Sequence, residues 1–317
     1  VAGATGEWRG KRIGVLLGGL SAERKVSLKS GAAVAGALRR RGYDVVEIDV
    51  GRDLPARLVE SGAQVAWLAL HGKFGEDGCV QGLCEVMGLP YTGSGVRASA
   101  VCMDKTATKR AVAGVPGVVM AQDHLWRTGD PVPDHVLERM GYPVMVKPPS
   151  TGSTIGMSKA TSRAELVAGL EVAAKYGDEV LLEQFVEGDE ITVAVIDGRP
   201  LPVVRILPES GWFDFEAKYT KGKTTYEVPA KILQAAWDAA QAAAVAAYRA
   251  IGCRGLCRAD FIVRHSDHVP VFLELNTLPG MTETSLSPMA AGQVGVSFED
   301  LVETILNSAT CSAPEVG

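Results

Sequence analysis

The chain has 317 residues, 47% hydrophobic and 22% charged, with a formal net charge of -5, enough to bury one large core or two or three smaller ones. Charges of both signs are interspersed, so no basic patch suits a phosphodiester backbone and nucleic acid is not an expected partner. No apolar run approaches the roughly 20 residues of a membrane span, and the opening VAGATGEWRG lacks the apolar stretch of a secretory signal; that decapeptide is left out of the fold reading. The six cysteines (79, 84, 102, 253, 257 and 311) form no C-x-x-C pair. Without a nearby histidine to complete a zinc cluster, they read as small buried free thiols in a reducing cytoplasm.

The first third alternates strands and helices. Arg12–Leu17 is an apolar run closed by Gly18-Gly19. Residues 22–41 carry Val26, Ala33, Val34, Ala37 and Leu38 at helical spacing. Residues 43–50 and 64–70 read as strands and 80–87 as a short helix. Such alternation predicts a parallel sheet covered by helices. Next come a polar-faced helix over 104–113, a buried strand YPVMVK over 142–147, and a loop of small residues over 148–156. A helix over 162–176 and a strand over 179–186 follow.

The last third opens with a hairpin, 191–196 and 200–206, through the turn signal Asp197-Gly198. A long amphipathic helix over 232–251 has apolar residues at 233, 236, 237, 240, 244, 247, 248 and 251. Two strands over 255–264 and 269–276 flank a polar turn, and a helix over 298–307 closes the chain. No internal repeat is evident. The predicted architecture is a parallel α/β domain over 11–100 and two α+β lobes over 101–182 and 183–312.

The strand pair carries the clearest chemical signal. Side chains alternate faces along a strand. In LCRADFIV, Arg258 and Asp260 share one face, against Cys257, Ala259, Phe261 and Val263 on the other. In VFLELN, Glu274 and Asn276 share a face, with Val271, Leu273 and Leu275 expected opposite. A turn centred near Asp267 puts Asp260 opposite Glu274 and Arg258 opposite Asn276. Opposed carboxylates repel unless positive charge lies between them. Oxygen ligands from Asp, Glu and Asn suit a hard cation such as Mg²⁺; the plainer alternative is a solvated face on which Arg258 balances the acids.

Such a cation commonly serves nucleotide phosphates. No G-x-x-x-x-G-K-[ST] occurs, which excludes an ordinary P-loop. Residues 93–98, GSGVRA, fit a dinucleotide fingerprint only superficially and read better as a tight turn into a helix. The better phosphate loop is KPPSTGSTIG over 147–156, where small residues expose backbone N–H groups beside Lys147.

These segments occur in one order, and the sequence resembles the D-alanine–D-alanine ligases of the ATP-grasp superfamily from about residue 11 to 308. The matching stretches are LLGGLSAERKVSLKSG, ALHGKFGEDG, GLPYTGSGVRASA, MDK, VKPPSTGSTIGMSK, EAKY, CRAD and ELNTLPGMTETSLSPM. The resemblance implies ATP-dependent ligation of two D-alanines through an acyl phosphate, for peptidoglycan precursors and hence cell wall and cell shape, in a cytoplasmic homodimer. It assigns Lys105 and Lys147 to ATP phosphates, with Ser153 in the loop that closes over them. It assigns Glu183, Phe185, Val186 and Glu190 to adenine and ribose. Asp260, Glu274 and Asn276 would hold two Mg²⁺ ions, for which Mn²⁺ could substitute.

On the amino-acid side, the resemblance gives Glu23 the ammonium of the first D-alanine, with His71 nearby. Arg258 and the Gly280 N–H would stabilise the oxyanion. Ser285 and Lys218 would bind the second carboxylate, Lys218 also touching ATP and Leu286 lining the site. Tyr219 would join Glu23 and Ser153 in a network tying together the lids, 149–156 and 209–226. Each residue has a duller reading: Glu23 as an acid favouring a helix N-terminus, His71 as a hydrogen-bonded loop histidine, Tyr219 as an ordinary loop aromatic. The rival functions are a D-alanine–D-lactate or D-alanine–D-serine ligase, a non-catalytic nucleotide-binding protein, and a nicotinamide oxidoreductase resting on GSGVRA alone.

Overall fold

The computed structural model describes residues 7–152, 155–209 and 222–312. The elements run β1 Arg12–Leu17, α1 Arg24–Arg40, β2 Asp44–Asp49, α2 Leu54–Ser61, β3 Val65–Leu68, α3 Cys79–Met87, α4 Val96–Met103, α5 Lys105–Val112, β4 Val119–Met120 and β5 Asp123–Arg127. They continue with α6 Asp134–Met140, β6 Val144–Lys147, β7 Ser158–Ala160, α7 Arg163–Ala173, β8 Glu179–Gln184, β9 Gly188–Ile196, β10 Arg199–Pro200, β11 Val204–Pro208 and β12 Thr224–Glu227. Last are α8 Gln234–Ile251, β13 Leu256–Arg264, β14 Pro270–Asn276, α9 Leu286–Gln293 and α10 Phe298–Asn307. Among the described residues, no helix is long and apolar enough to cross a membrane.

The first sheet is parallel, in the order β2-β1-β3. Ile13 to Leu17 of β1 are all buried, as a central strand covered on both faces must be. Helix α1 packs Val34, Ala35 and Leu38 against this sheet, and the same core takes in Leu301, Val302 and Ile305 of α10. Helices α1 and α10 thus share one apolar core.

The second sheet runs β12-β11-β9-β13-β14-β4, with β10 paired to β9. The Asp197-Gly198 hairpin turn forms as expected, both residues having positive φ (47° and 77°), the geometry of a type I′ turn. Helix α8 lays Ala236, Ala240, Ala243, Ala244 and Ala247 on the β13 face formed by Cys257, Ala259, Phe261 and Val263. Small side chains let the helix sit close to the sheet. Leu233, expected on that face, caps the helix and is 57% exposed.

The pairing of β13 with β14 matches the predicted register, with Arg258 opposite Asn276 and Asp260 opposite Glu274. Beyond that point alternation fails. The register shifts between Asp260 and Phe261, so Phe261 faces Phe272. A bulge of this kind adds one residue and reverses the faces. Phe272 and Leu275 therefore enter the core, whereas Leu273 is only half-buried. Phe261 and Phe272 meet edge to face at 5.6 Å, worth about 1 kcal/mol beyond their burial.

The third sheet, β5-β8-β6-β7, is antiparallel. Its core is Val144, Val146, Val180 and Leu182 under Leu137 of α6 and Leu166 and Leu170 of α7. Helix α7 starts at Ser162, whose hydroxyl accepts the Glu165 N–H at 3.3 Å, a capping bond. Helix α5 starts likewise at Asp104, which accepts from Ala107 N at 2.8 Å. The GSGVRA segment is the turn into α4. The cysteines are free, but only Cys84 and Cys257 are buried; Cys79 is exposed and the others half-buried. Burial of all six is therefore not what the fold provides.

Candidate functional site

The working face of β13 and β14 is a network of four side chains. The Arg258 guanidinium donates twice to Asp260, Nε to Oδ1 at 2.9 Å and Nη2 to Oδ2 at 2.7 Å. Thr192 Oγ1 donates to Asp260 Oδ1 at 2.6 Å and Asn276 Nδ2 to Oδ2 at 3.0 Å. Glu274 takes a different cation, Lys105 Nζ at 3.2 Å. Burial disfavours the Arg258 charge, yet Asp260, Glu274 and Glu76 together hold it above the ordinary arginine range. Arg258 thus balances one acid, as the plainer reading of this face expects.

Lys105 also draws in the small-residue loop. Its Nζ donates to Thr151 O at 2.8 Å and its N–H to Pro149 O at 3.0 Å. The strand before that loop ends in Lys147, which donates to Glu183 Oε2. The other oxygen of Glu183 accepts from Lys109. All three groups are buried. Burial alone would push the Glu183 carboxyl up, but Lys147 and Lys109 prevail and hold it down. Beside it, Lys159 Nζ lies 3.7 Å from the centroid of the Phe185 ring, a cation–π contact. Val186 and Glu190 follow, half-buried, on the way into β9.

Glu23 stands at the N-terminus of α1, but its side chain makes no capping hydrogen bond. Two loops converge on that carboxylate. A Cβ added at Gly72 would lie 2.7 Å from Glu23 Oε2, and one at Gly152 would lie 2.9 Å from it. Gly72 also has φ +70°, a left-handed conformation that favours glycine. His71 is buried, with Nε2 3.2 Å from Ser30 Oγ, and burial pushes its pKa down despite Glu23. The same Ser30 Oγ accepts the Met281 N–H at 3.2 Å, so one hydroxyl joins His71 to the segment carrying Gly280. There Ser285 caps α9 ahead of Leu286, and its Oγ accepts the Thr282 N–H at 3.0 Å and meets Thr282 Oγ1 at 2.8 Å.

Ser153, Lys218 and Tyr219 lie outside the described residues, as does most of the second expected lid. The strand before it, Val204–Pro208, pairs with Thr224–Glu227 in the β11–β12 ladder. Two residues of the site escaped sequence reasoning. Lys109 looks like one more helix lysine, although its spacing of four from Lys105 puts both on one helix face. Glu76 sits within ALHGKFGEDG, and its Oε2 accepts the Gly72 N–H at 2.6 Å. Burial, with Glu23 beside it, pushes the Glu76 carboxyl up to about 8.

A parallel α/β sheet, two further sheets, and lysines and acids gathered between them define the ATP-grasp class of carboxylate–amine ligases. Residues 108–307 match the family model described as D-ala D-ala ligase C-terminus, and residues 55–94 match the D-ala D-ala ligase N-terminus. The D-alanine–D-alanine ligase of Syntrophotalea carbinolica is 49% identical over 304 residues, 96% of this chain and 98% of that protein. The enzyme of the same name from Geobacter sulfurreducens is also 49% identical, over 96% of this chain and 95% of that protein. Among solved structures, the Bacillus anthracis D-alanine–D-alanine ligase complexed with ATP superposes with a TM-score of 0.82 at 32% identity, over 94% of this chain and 97% of that one. VanG D-Ala:D-Ser ligase from Enterococcus faecalis gives 0.80 at 28% identity, over 94% of this chain and 98% of that one. The chain belongs to the D-alanine–D-alanine ligase family.

Proposed function

We propose that this chain joins two D-alanine molecules into D-alanyl-D-alanine, converting ATP to ADP and phosphate through D-alanyl phosphate. The observation that carries the reading is the acid pair Asp260–Glu274 set between Arg258 and Lys105, with Lys147 close to the same loop. A carboxylate is a poor acyl donor. Its oxygen attacks the γ-phosphorus, the bond to ADP breaks, and the acyl carbon becomes electrophilic. The deprotonated amine of the second amino acid then attacks, and phosphate leaves from the tetrahedral intermediate as the nitrogen gives up its extra proton.

This chain's residues divide the work by charge. Lys105 and Lys147 meet the phosphates, while Glu183, Phe185, Val186 and Glu190 hold adenine and ribose. Glu23 takes the first ammonium beside a neutral His71, which adds no competing positive charge. Arg258 and the Gly280 N–H face the developing oxyanion, where fixed donors act without reorganising. Ser285, Leu286 and Lys218 hold the second substrate. Ser153 and Tyr219 belong to the lids that exclude water from the labile acyl phosphate.

Asp260, Glu274 and Asn276 fit Mg²⁺: three hard donor side chains share a face, and protein cations already neutralise the two acids. Mg²⁺ bound there supplies charge neutralisation for the phosphates. The three segments 11–100, 101–182 and 183–312 act as the substrate domain and the two nucleotide lobes. A cytoplasmic homodimer supplying peptidoglycan precursors completes the proposal.

The test is ADP release by the wild-type chain with Mg²⁺, ATP and a panel of D- and L-amino acids, with the product identified by mass. D-alanine is expected to be required and D-alanyl-D-alanine to dominate. With D-lactate or D-serine in the mixture near neutral pH, a dominant ester or a D-alanyl-D-serine product would overturn the choice of acceptor. No ADP above background would overturn the ligase reading.

A further inference from the structure

Lys109 is a lysine with almost no contact with solvent, 3% exposed, and none of the roles above uses it. Its ammonium is enclosed by three acceptors: Glu183 Oε1, Ala121 O at 3.2 Å and Asp123 Oδ1 at 3.8 Å. The first two are hydrogen bonds and the third a longer ion pair, and together they tie Lys109 to β5 and β8. Asp123 and Glu183 lie directly opposite one another on those strands. Lys109 is the cation that makes this pairing of like charges tolerable.

Lys147 shares Glu183 but is placed differently. It ends β6 at the mouth of the small-residue loop, and its side chain is 10% exposed. A phosphate that draws Lys147 towards itself competes with Glu183 for that ammonium. A buried carboxylate abandoned by its only counter-charge is strongly disfavoured. With Lys109 still on Oε1, Glu183 stays neutralised and Lys147 is released at small cost.

We infer that Lys109 is a positioning residue for nucleotide binding: it stays on Glu183 as a fixed counter-charge, freeing Lys147 to move to the phosphates. This rests on the nucleotide reading proposed above. It assigns the two lysines on one carboxylate different tasks, one stationary and one mobile. Removing Lys109 leaves Glu183 and Lys147 locked together, and the nucleotide must then break that pair.

The experiment is direct titration of ATP and of adenosine into wild type, Lys109→Met, Lys109→Arg, Glu183→Gln and the double variant Lys109→Met/Glu183→Gln. Lys109→Met is expected to weaken ATP binding roughly 10- to 100-fold, the range of one charged hydrogen bond. Adenosine, which shares the Glu183 contact but has no phosphate for Lys147, is expected to lose at least about threefold less affinity than ATP, a split that a merely structural defect would not produce. Lys109→Arg is expected to retain most ATP affinity because the charge remains.

In the Glu183→Gln background, adding Lys109→Met should change ATP affinity by less than about threefold, because no carboxylate is left to trap Lys147. This comparison also carries the test if Lys109→Met alone does not fold. Equal losses for ATP and adenosine, or the same loss with Gln at 183 as with Glu, would overturn the inference. If wild type binds ATP and Lys109→Met binds it equally well, this inference alone fails. If wild type binds no ATP, the nucleotide reading fails and takes this inference with it.

Discussion

Two pairs of opposed carboxylates face each other across antiparallel strands, Asp123–Glu183 on β5 and β8 and Asp260–Glu274 on β13 and β14. Each is answered by a lysine from one face of α5, Lys109 for the first and Lys105 for the second. The pairs differ in how they are closed. Glu183 and Lys109 are each 3% exposed, with Asp123 at the rim at 36%; Glu274 is 27% and Lys105 13% exposed, with Asp260 nearly buried at 9%. The sealed contact between Lys109 and Glu183 cannot be exchanged for a ligand without a large desolvation penalty. A half-open one can. Lys109 on Glu183 therefore anchors the helix to the third sheet, whereas Lys105 and Glu274 stay within reach of solvent.

The largest effect should come from breaking the open pair. Glu274→Gln keeps shape and removes one charge. Ligase turnover, read as ADP release, is expected to fall on the order of a thousandfold, as when a main electrostatic contributor to a transition state is lost. Unfolding stability should change by no more than about 1 kcal/mol, because the contact with Lys105 is partly solvated. Wild-type turnover in this variant would remove Glu274 from the site.

Why one pair was legible in the sequence and the other was not follows from their spacing. Asp260 and Glu274 belong to strands joined by a short turn, so alternation and one assumed turn centre predicted their register. Asp123 and Glu183 are 60 positions apart with two α-helices and two strands between them, and no local pattern announces their meeting. Lys109 was missed for the same reason: its partners come from β5 and β8, not from its own helix. Alternation also failed at Phe272, because a bulge leaves no mark in composition. Glu76 was hidden by its neighbours, since an acid in a Gly-rich polar loop ordinarily reads as solvated.

A smaller effect is expected where the two loops reach Glu23. Gly72→Ala puts a Cβ into a left-handed position and 2.7 Å from Glu23 Oε2. The strain should cost about 1–3 kcal/mol of unfolding stability. Because the carboxylate must shift, the KM for D-alanine at the first site should rise about tenfold while ATP binding holds. A variant with unchanged D-alanine KM would show that Glu23 does not contact that substrate.

The smallest effect concerns Glu76, and its sign separates it from that of His71. The Glu76 carboxyl, ordinarily 4.5, is raised to about 8 by burial, with Glu23 adding to it. Between those values the folded chain keeps a proton that the unfolded chain has lost. Stability then falls as pH rises from about 4.5 and levels off above about 8. His71 acts oppositely: burial lowers it from 6.5, so the unfolded chain takes up a proton that the folded chain refuses, and stability rises with pH up to about 6.5. Between pH 7 and 8 only the Glu76 slope remains of the two. We expect denaturant unfolding to lose about 1 kcal/mol over that interval, somewhat less than the full linkage of a wholly buried group. Glu76→Gln retains an acceptor for the Gly72 N–H and should flatten the slope, leaving the variant more stable than wild type at pH 8. A slope that persists in Glu76→Gln would mean that another group holds the proton, and that the acids near Glu23 are all ionised at neutral pH.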